Sequence, residues 1–208
     1  MKHPVVVGLD VSRETQERLE AFIVQLLRWN STINLISRRD EPDIWRRHVV
    51  DSLALAPLLP EPPGTAVDLG SGGGFPGLVL AIATGRHFHL VEADQRKAAF
   101  LREAARATAT PVTIHATRIE HAATPPAQII TARALAPLTS LLGWAVPHLA
   151  AGGICLFPKG RTAHDELTAA ATQWHMLVET FASATDASST ILRIRDIHRV
   201  GPAPEPDQ

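Results

Sequence analysis

The sequence predicts an α/β fold in which a pair of N-terminal helices precedes a mostly parallel, doubly wound sheet. Short apolar runs alternate with helical segments from residue 66 onward, which is the order of elements in a parallel sheet covered by crossover helices. A glycine-rich turn joins the first of these runs to a helical segment. The last run, residues 189–200, alternates apolar with polar side chains, which is typical of a half-exposed, terminal antiparallel strand.

Length and composition predict one domain with a modest extension. The chain has 208 residues, of which 45% are hydrophobic, enough for a substantial core. We expect residues 1–60 to form a helical extension packed on the sheet and residues 61–200 to form the main domain. The formal net charge of −1 excludes a uniformly basic protein, so any binding to nucleic acid must come from a local patch of basic residues.

Cysteine usage and hydropathy exclude several classes of protein. Cys155 is the only cysteine, so we expect neither a disulfide framework nor a zinc cluster, and no metal site is predicted. The apolar run at residues 5–7 is too short for a signal sequence, and no run reaches membrane-spanning length. We therefore expect a cytoplasmic protein with no membrane contact. We also expect a monomer.

The N-terminal region is predicted to be helical. After an irregular lead-in at residues 1–10, Ser12 is a suitable N-cap for a helix that extends to about Asn30. Its core-facing stripe is expected to contain Leu19, Phe22, Ile23, Leu26 and Leu27. Residues 31–39 break the pattern, and a second helix is expected to start at residues 40–42, where Pro42 suits a first turn. Its apolar face would carry Ile44, Trp45, Val49 and Leu53.

Seven strands are predicted in the remainder of the chain. They lie at residues 66–69, 88–91, 112–115, 128–131, 154–157, 176–181 and 189–200. Helices are expected at residues 138–149 and 162–172, and a basic helix near Arg96 is expected to bury Phe100 and Leu101. The proline-rich residues 201–208 are predicted to be disordered.

The glycine-rich turn reads D-L-G-S-G-G-G-F-P-G at residues 68–77. Glycines permit the positive φ angles of a tight turn and let a ligand approach the backbone. A dinucleotide fingerprint beginning at Gly70 would need glycine where the chain has Phe75, which argues against close helix–strand packing of that kind and against NAD. A P-loop for ATP would need a lysine after the glycines, and the sequence has none there. The carboxylate of Asp68 would repel a pyrophosphate and attract a cationic ligand. S-adenosylmethionine, which carries an ammonium and a sulfonium, fits this requirement.

Further motifs, together with this turn, resemble those of a known family. They are N-L-I-S at residues 34–37, R-H-V-V-D-S-L at 47–53, R-I-E at 118–120, A-R-A at 132–134 and K-G at 159–160. The chain resembles the class I S-adenosylmethionine-dependent methyltransferases and, within them, the 16S rRNA guanine-N7 methyltransferases of the glucose-inhibited division protein B family. This resemblance, over nearly the whole chain, implies a Rossmann-like fold with S-adenosylmethionine as cofactor. Two positions depart from the family's pattern, since Gln128 stands where aspartate is expected and Ala132 where serine is usual.

The resemblance also implies which residues bind the cofactor. They are Asp68, Gly70, Gly72, Phe75, Glu92, Ile119, Glu120 and Arg133. Glu92 follows the second strand about 24 residues after Asp68, near the spacing at which Rossmann-type folds place a ribose-binding acid. The main chain at Ile119 and Glu120 would lie along the adenine edge.

Arg133 and Lys159 are the implied catalytic residues. Arg133, after the fourth strand, would lie closest to the transferred methyl group, and the alternative is a salt bridge to Asp68 or Glu120 that only shapes the pocket. Either cation could hold guanine O6. Guanine N7 presents a lone pair without a proton, so its methylation needs alignment and no general base. The target base would also have to be unstacked from its RNA context.

RNA contacts are implied for basic residues around the motifs. The implied residues are Arg47, His48, Arg96, Lys97 and Arg118, with Arg38, Arg39 and Arg46 nearby. For His48, with Asp51 and Ser52, a hydrogen-bonded brace between helix and sheet is the alternative. For the arginines and lysine, an exposed basic surface is the alternative.

The resemblance implies methyl transfer to guanine N7 in the 530 loop of 16S rRNA, at position 527, with rRNA or the 30S subunit as partner. A small-molecule methyltransferase is one alternative, favoured by the near-neutral charge. A cofactor-binding module without turnover is the other.

Overall fold

The computed structural model describes residues 11–183, 185–186 and 188–201, so the predictions for residues 1–10 and 202–208 lie outside it. The helices and strands follow in chain order as α1 Arg13–Asn30, α2 Asp51–Leu53, β1 Ala66–Leu69, α3 Gly77–Thr84, β2 Phe88–Val91, α4 Gln95–Ala107, β3 Val112–His115, β4 Ala127–Thr131, α5 Leu138–Ala145, β5 Leu149–Lys159, α6 Ala163–Ala171, β6 Trp174–Ala182 and β7 Thr190–Arg199. In this part of the chain no helix has both the length and the apolar character needed to cross a bilayer.

The seven strands form one sheet in the order β3-β2-β1-β4-β5-β7-β6. The strands from β1 to β5 pair in parallel, and β7 pairs antiparallel with both β5 and β6. The predicted fold class, a mostly parallel seven-stranded sheet with a terminal antiparallel strand, is confirmed. The expected half-exposure of β7 holds only for its second half. Ile191 is 2% exposed because β7 lies between two strands and both faces of the sheet are covered here.

The first helix matches its prediction closely. Ser12 caps α1, since its Oγ accepts the Thr15 N–H at 3.2 Å. The side chains of its buried stripe, Leu19, Phe22, Ile23 and Leu26, belong to one core cluster with residues of α3 and α4. The core position predicted for Leu27 is wrong, because this residue is 38% exposed. It lies one residue past Leu26, about 100° around the helix and at the far edge of the stripe.

The second predicted helix is irregular. A 3₁₀ turn at Glu41–Asp43, a π-helical stretch at Trp45–Val50, α2 and a 3₁₀ turn at Ala56–Leu58 follow one another. The His48 carbonyl accepts both the Asp51 N–H and the Ser52 hydroxyl, the latter at 2.6 Å, and such local bonds compete with regular α-helical pairing. The expected apolar face is nonetheless present, with Ile44, Val49 and Leu53 buried and Trp45 partly buried.

Two hydrophobic clusters cover the sheet. The first joins the N-terminal helices to α3 and α4, with Phe22 and Phe100 among its largest fully buried side chains. The second contains residues of α5 and α6 together with Phe157 and Trp174. The N-terminal segment therefore shares its core with the sheet, and a domain boundary at residue 60 stays a prediction.

The start of α3 lies directly against β1. A Cβ at Gly77 would be 2.5 Å from the Cβ of Asp68, so only glycine allows the helix to begin here. The expectation that Phe75 precludes such close helix–strand packing is wrong, because Gly77 provides it two residues later.

Candidate active site

A cavity of about 1080 Å³ opens at the carboxyl ends of the parallel strands. The glycine turn after β1 and residues 133–137 after β4 form two of its walls. The N-terminal segment around residues 46–51 and the turn between β6 and β7 form a third. Ligands of open α/β sheets bind at this end of the strands.

The glycine turn provides an open backbone surface. Gly72 has φ +50°, and a Cβ there would meet only the Gly70 carbonyl oxygen at 3.7 Å and a Glu92 oxygen at 4.0 Å. The N–H groups of Gly72 and Asp94 each donate to one oxygen of Glu92, both at 2.8 Å. Because each carboxylate oxygen has a second lone pair, Glu92 can still accept hydrogen bonds from a ligand diol. These residues fit the adenosyl part of S-adenosylmethionine.

Asp68 lies beneath this turn and does not line the cavity. Its carboxylate is fully buried and accepts the Thr131 hydroxyl at 2.6 Å, while its Oδ2 has no hydrogen-bond partner. Burial raises the pKa of Asp68 to about 6, although the hydrogen bond from Thr131 opposes this shift. α3, which begins at Gly77, covers the carboxylate, and the predicted role of Asp68 in binding the cofactor stays a prediction.

Arg133 projects from the end of β4 into the cavity. Its Nη1 donates to the Arg47 carbonyl at 3.2 Å and lies 3.8 Å from Oδ2 of Asp51. Burial lowers the pKa of Arg133, and the Asp51 carboxylate partly offsets this effect. The alternative salt bridge of Arg133, to Asp68 or Glu120, is absent from the contacts of the described residues. The chain fold brings Asp51 to Arg133 instead.

An aromatic stack lies beside Arg133. The Arg133 guanidinium carbon is 5.0 Å from the Phe75 ring centroid, and Phe75 stacks on His48 with 4.9 Å between centroids. Both ring nitrogens of His48 are buried without a hydrogen-bond partner. Burial, together with the positive charge of Arg133, lowers the pKa of His48 to about 4. The imidazole is therefore neutral near pH 7, and the brace to Ser52 involves the His48 backbone and not its ring.

Lys159 is held by neighbouring groups. Its Nζ donates to the Ala136 carbonyl and to Glu166, each at 2.8 Å. Burial alone would raise the pKa of Glu166, but hydrogen bonds from Lys159 and Thr162 lower it below its ordinary value. The ammonium has three donors, so one N–H of Lys159 stays available to a ligand.

Comparison with known proteins identifies the family of this chain. The GidB family model, described as rRNA small subunit methyltransferase G, matches residues 15–192. The chain belongs to the GidB family. The ribosomal RNA small subunit methyltransferase G of Granulibacter bethesdensis is 59% identical over 193 residues, which cover 93% of this chain and 91% of the relative. That of Gluconobacter oxydans is 56% identical over 190 residues, with coverages of 91% and 98%. The family resemblance seen in the motifs is confirmed.

Solved structures agree with the GidB fold described above. The magnesium protoporphyrin IX methyltransferase of Synechocystis PCC 6803, solved with bound SAM, has a TM-score of 0.59 at 13% identity, covering 90% of this chain and 99% of that one. The ribosomal protein L11 methylase of Lactobacillus delbrueckii subsp. bulgaricus has a TM-score of 0.58 at 15% identity, with coverages of 72% and 78%. At these identities the similarity shows the fold, which is the predicted Rossmann-like class I methyltransferase fold.

The predicted residues of this GidB chain divide into two groups. The side chains or backbone of Gly70, Gly72, Phe75, Arg133, Lys159, Arg47, His48 and Lys97 line the cavity. Asp68, Glu92, Arg96, Arg118, Ile119 and Glu120 do not belong to its lining, although Glu92 accepts the N–H of Gly72, which does. The Ile119 carbonyl accepts from the His148 ring at 3.1 Å. The predicted roles of these residues stay predictions.

Sequence reasoning missed several residues of the cavity wall. Thr185, Asp186 and Ser189 come from the turn between β6 and β7, and Glu166 comes from α6. The sequence holds no local signal for them, because only the packing of the sheet brings these segments beside the N-terminal region.

Proposed function

We propose that this protein transfers the methyl group of S-adenosylmethionine to N7 of a guanine in the 530 loop of 16S rRNA, at position 527. As a GidB family member, the protein is an S-adenosylmethionine-dependent rRNA methyltransferase. What we propose beyond this activity is the target, namely the 530 loop as the site and guanine N7 as the methylated atom. We further propose that it acts as a monomer in the cytoplasm, on the rRNA or on the 30S subunit.

We choose N7 as the target atom because the titratable groups that line the cavity include no suitable general base among the described residues. Three carboxylates among the described residues of the lining accept hydrogen bonds from neighbouring side chains: Asp51, Glu166 and Asp186. The His48 imidazole, with its pKa near 4, is a weak base. A general base efficient at neutral pH needs a pKa near 7. Attack by guanine N7 requires no proton removal, so this set of groups suits it better than methylation of an N–H group.

The glycine turn and Glu92 would hold the cofactor. S-adenosylmethionine supplies an electrophilic methyl group on a sulfonium when it is bound. The open space beside the Gly72 backbone allows a close approach, and Glu92 would accept the ribose hydroxyls through its remaining lone pairs. The buried Asp68 lies directly beneath the turn, where any negative charge that it carries would act on a cationic ligand through space.

The opposite half of the cavity would hold the guanine. Arg46 and Arg47 place positive charge at its walls, where it would attract the phosphates of a flipped nucleotide. Arg133 can donate to guanine O6 while N7 stays free to attack. Exclusion of water around Phe75 and His48 would favour the single alignment that methyl transfer requires.

A labelling experiment tests the proposal. Purified protein is incubated with S-adenosylmethionine carrying a tritiated methyl group and with 30S subunits from a strain that lacks the modification. Borohydride and aniline, which cleave RNA at N7-methylguanine, should then yield a break in the 530 loop. Labelling of another position would overturn the choice of site. Cofactor binding by calorimetry without transfer to any RNA would favour a binding module.

A further inference from the structure

The carboxylate of Asp51 contacts two separate segments of the cavity wall. Its Oδ2 lies 3.8 Å from Nη1 of Arg133, at the end of β4. Its Oδ1 accepts hydrogen bonds from the hydroxyls of Ser183 and Thr185, both at 3.1 Å. Asp51 therefore lies between the arginine of the site and the turn that joins β6 to β7.

This turn is attached to the N-terminal segment at a second point. Nη1 of Arg46 donates to the Thr185 carbonyl at 2.7 Å. Within the turn, the N–H groups of Thr185 and Asp186 donate to Ser183 Oγ at 3.2 and 3.3 Å. Thr185 and Asp186 line the cavity. Asp51 therefore contacts this part of the cavity wall in addition to Arg133.

The charge of Asp51 acts where water screens it little. The side chains of Asp51 and Arg133 are only 15% and 17% exposed. Solvent screening is weak for such partly buried pairs, so a separation of 3.8 Å still gives a substantial attraction. The second polar restraint on Arg133 is its hydrogen bond to the Arg47 carbonyl, which fixes Nη1 but supplies no full charge.

We propose that Asp51 is a positioning residue that holds the Arg133 guanidinium in its catalytic orientation and links it to the turn between β6 and β7. It touches neither of the reacting atoms and acts through Arg133. The catalytic part of this inference rests on the proposed function, whereas the positional part does not.

Two sets of variants separate the two contacts. Asp51→Asn removes the charge that faces Arg133 and keeps an oxygen that accepts from Ser183 and Thr185. Ser183→Ala combined with Thr185→Val releases the turn and keeps the charge. Asp51→Glu restores a carboxylate on a longer side chain. Glu61→Gln is the matched control, since it neutralises an exposed carboxylate before β1, at the opposite end of the sheet.

Turnover on 30S subunits tests the catalytic part. We expect Asp51→Asn to lower kcat by about ten- to a hundredfold through misplacement of Arg133, with the Kd for S-adenosylmethionine changed by less than about twofold. Asp51→Glu should recover part of the loss, and Glu61→Gln should match the wild type. Adding Asp51→Asn to Arg133→Lys should cause little further loss, because residues that act as a unit are not additive. Unchanged kcat in Asp51→Asn, or fully additive losses, would overturn the inference.

Two measurements without methyl transfer test the positional part. Hydrogen exchange at the Thr185 and Asp186 amides should accelerate in Asp51→Ala, which removes the acceptor of the Ser183 and Thr185 hydroxyls but leaves Ser183 Oγ in place for these amides. Exchange should stay near wild type in Asp51→Asn, which keeps that acceptor. The ¹⁵N signal of the Arg133 Nε should shift in Asp51→Asn and not in the Ser183→Ala, Thr185→Val protein. If the wild type methylates no RNA while both results hold, the proposed function fails and the positional inference stands. If neither measurement responds, the inference on Asp51 fails whatever the turnover.

Discussion

The guanidinium carbon of Arg133 lies 5.0 Å from the centroid of the Phe75 ring. A cation–π contact in a desolvated site contributes about 1–2 kcal/mol. We expect Phe75→Leu, which keeps an apolar side chain and removes the ring, to lower kcat/KM on 30S subunits by about tenfold. Phe75→Tyr retains the ring and should stay within about threefold of the wild type. A leucine variant with wild-type kcat/KM would show that the aromatic face does not matter.

Glu92 accepts two backbone N–H groups at the end of β2 and has lone pairs left for a ligand. We predict that Glu92→Gln raises the Kd for S-adenosylmethionine by about tenfold or more, because hydrogen bonds to a charged acceptor contribute about 1.5–3 kcal/mol. Isothermal calorimetry measures the affinity. Glu61→Gln, which also neutralises a glutamate but lies before β1, at the end of the sheet away from the cavity, should leave Kd unchanged. Equal affinity of the two variants would remove Glu92 from the cofactor site.

Gly77 and Gly143 both lie in helices but differ in their surroundings. A Cβ at Gly77 would be 2.5 Å from Asp68, whereas a Cβ at Gly143 would be 3.9 Å from its nearest neighbours. Gly77→Ala should therefore lower the free energy of unfolding by about 1–3 kcal/mol or more through overpacking. Gly143→Ala should raise it by about 0.5–1 kcal/mol, because alanine favours the helix. Urea unfolding measures both, and a neutral Gly77→Ala would contradict the close packing of α3 on β1.

Ala134 follows Arg133 directly and has a φ of +50°, in the left-handed region that non-glycine residues rarely adopt. Ala134→Gly should raise the free energy of unfolding by up to about 1 kcal/mol by relieving this strain. Ala109, with φ +47° after α4, provides a control away from the cavity, and its change to glycine should have a similar effect on stability. Only Ala134→Gly should also lower kcat, because it loosens the backbone that carries Arg133. Equal turnover in both variants would argue against a functional role for this strain.

The lowered pKa of His48 predicts a pH dependence of stability. In the folded protein the pKa falls from 6.5 to about 4, so the unfolded chain binds more protons between these values. The contribution of neutral His48 to the free energy of unfolding is therefore fully present above pH 6.5 and declines as the pH drops towards 4. The unfolding free energy of the wild type should fall relative to that of His48→Phe across this window. Asp68, whose raised pKa acts with the opposite sign, is present in both proteins and cancels in the difference. A constant difference would mean that His48 titrates normally.

Much of the fold could be predicted from local patterns. Apolar runs and glycine or proline breaks located all seven strands within a few residues, although β5 is longer than expected at both ends. The N-cap at Ser12 and the glycine turn were equally local, because cap hydrogen bonds and positive φ angles depend on neighbouring residues alone. Family motifs supplied Arg133 and Lys159, which do line the cavity.

The remaining features depend on segments that are distant in sequence. The burial of Asp68 follows from the packing of α3 on β1, and Asp51 contacts both Arg133 and a turn more than 130 residues away. The sequence by itself determined where strands, helices and the glycine turn begin, because short-range sterics and periodic burial govern those choices. Only the tertiary structure decided which charges meet in the cavity, because such contacts follow from how crossovers pack on a sheet and leave no trace in local pattern.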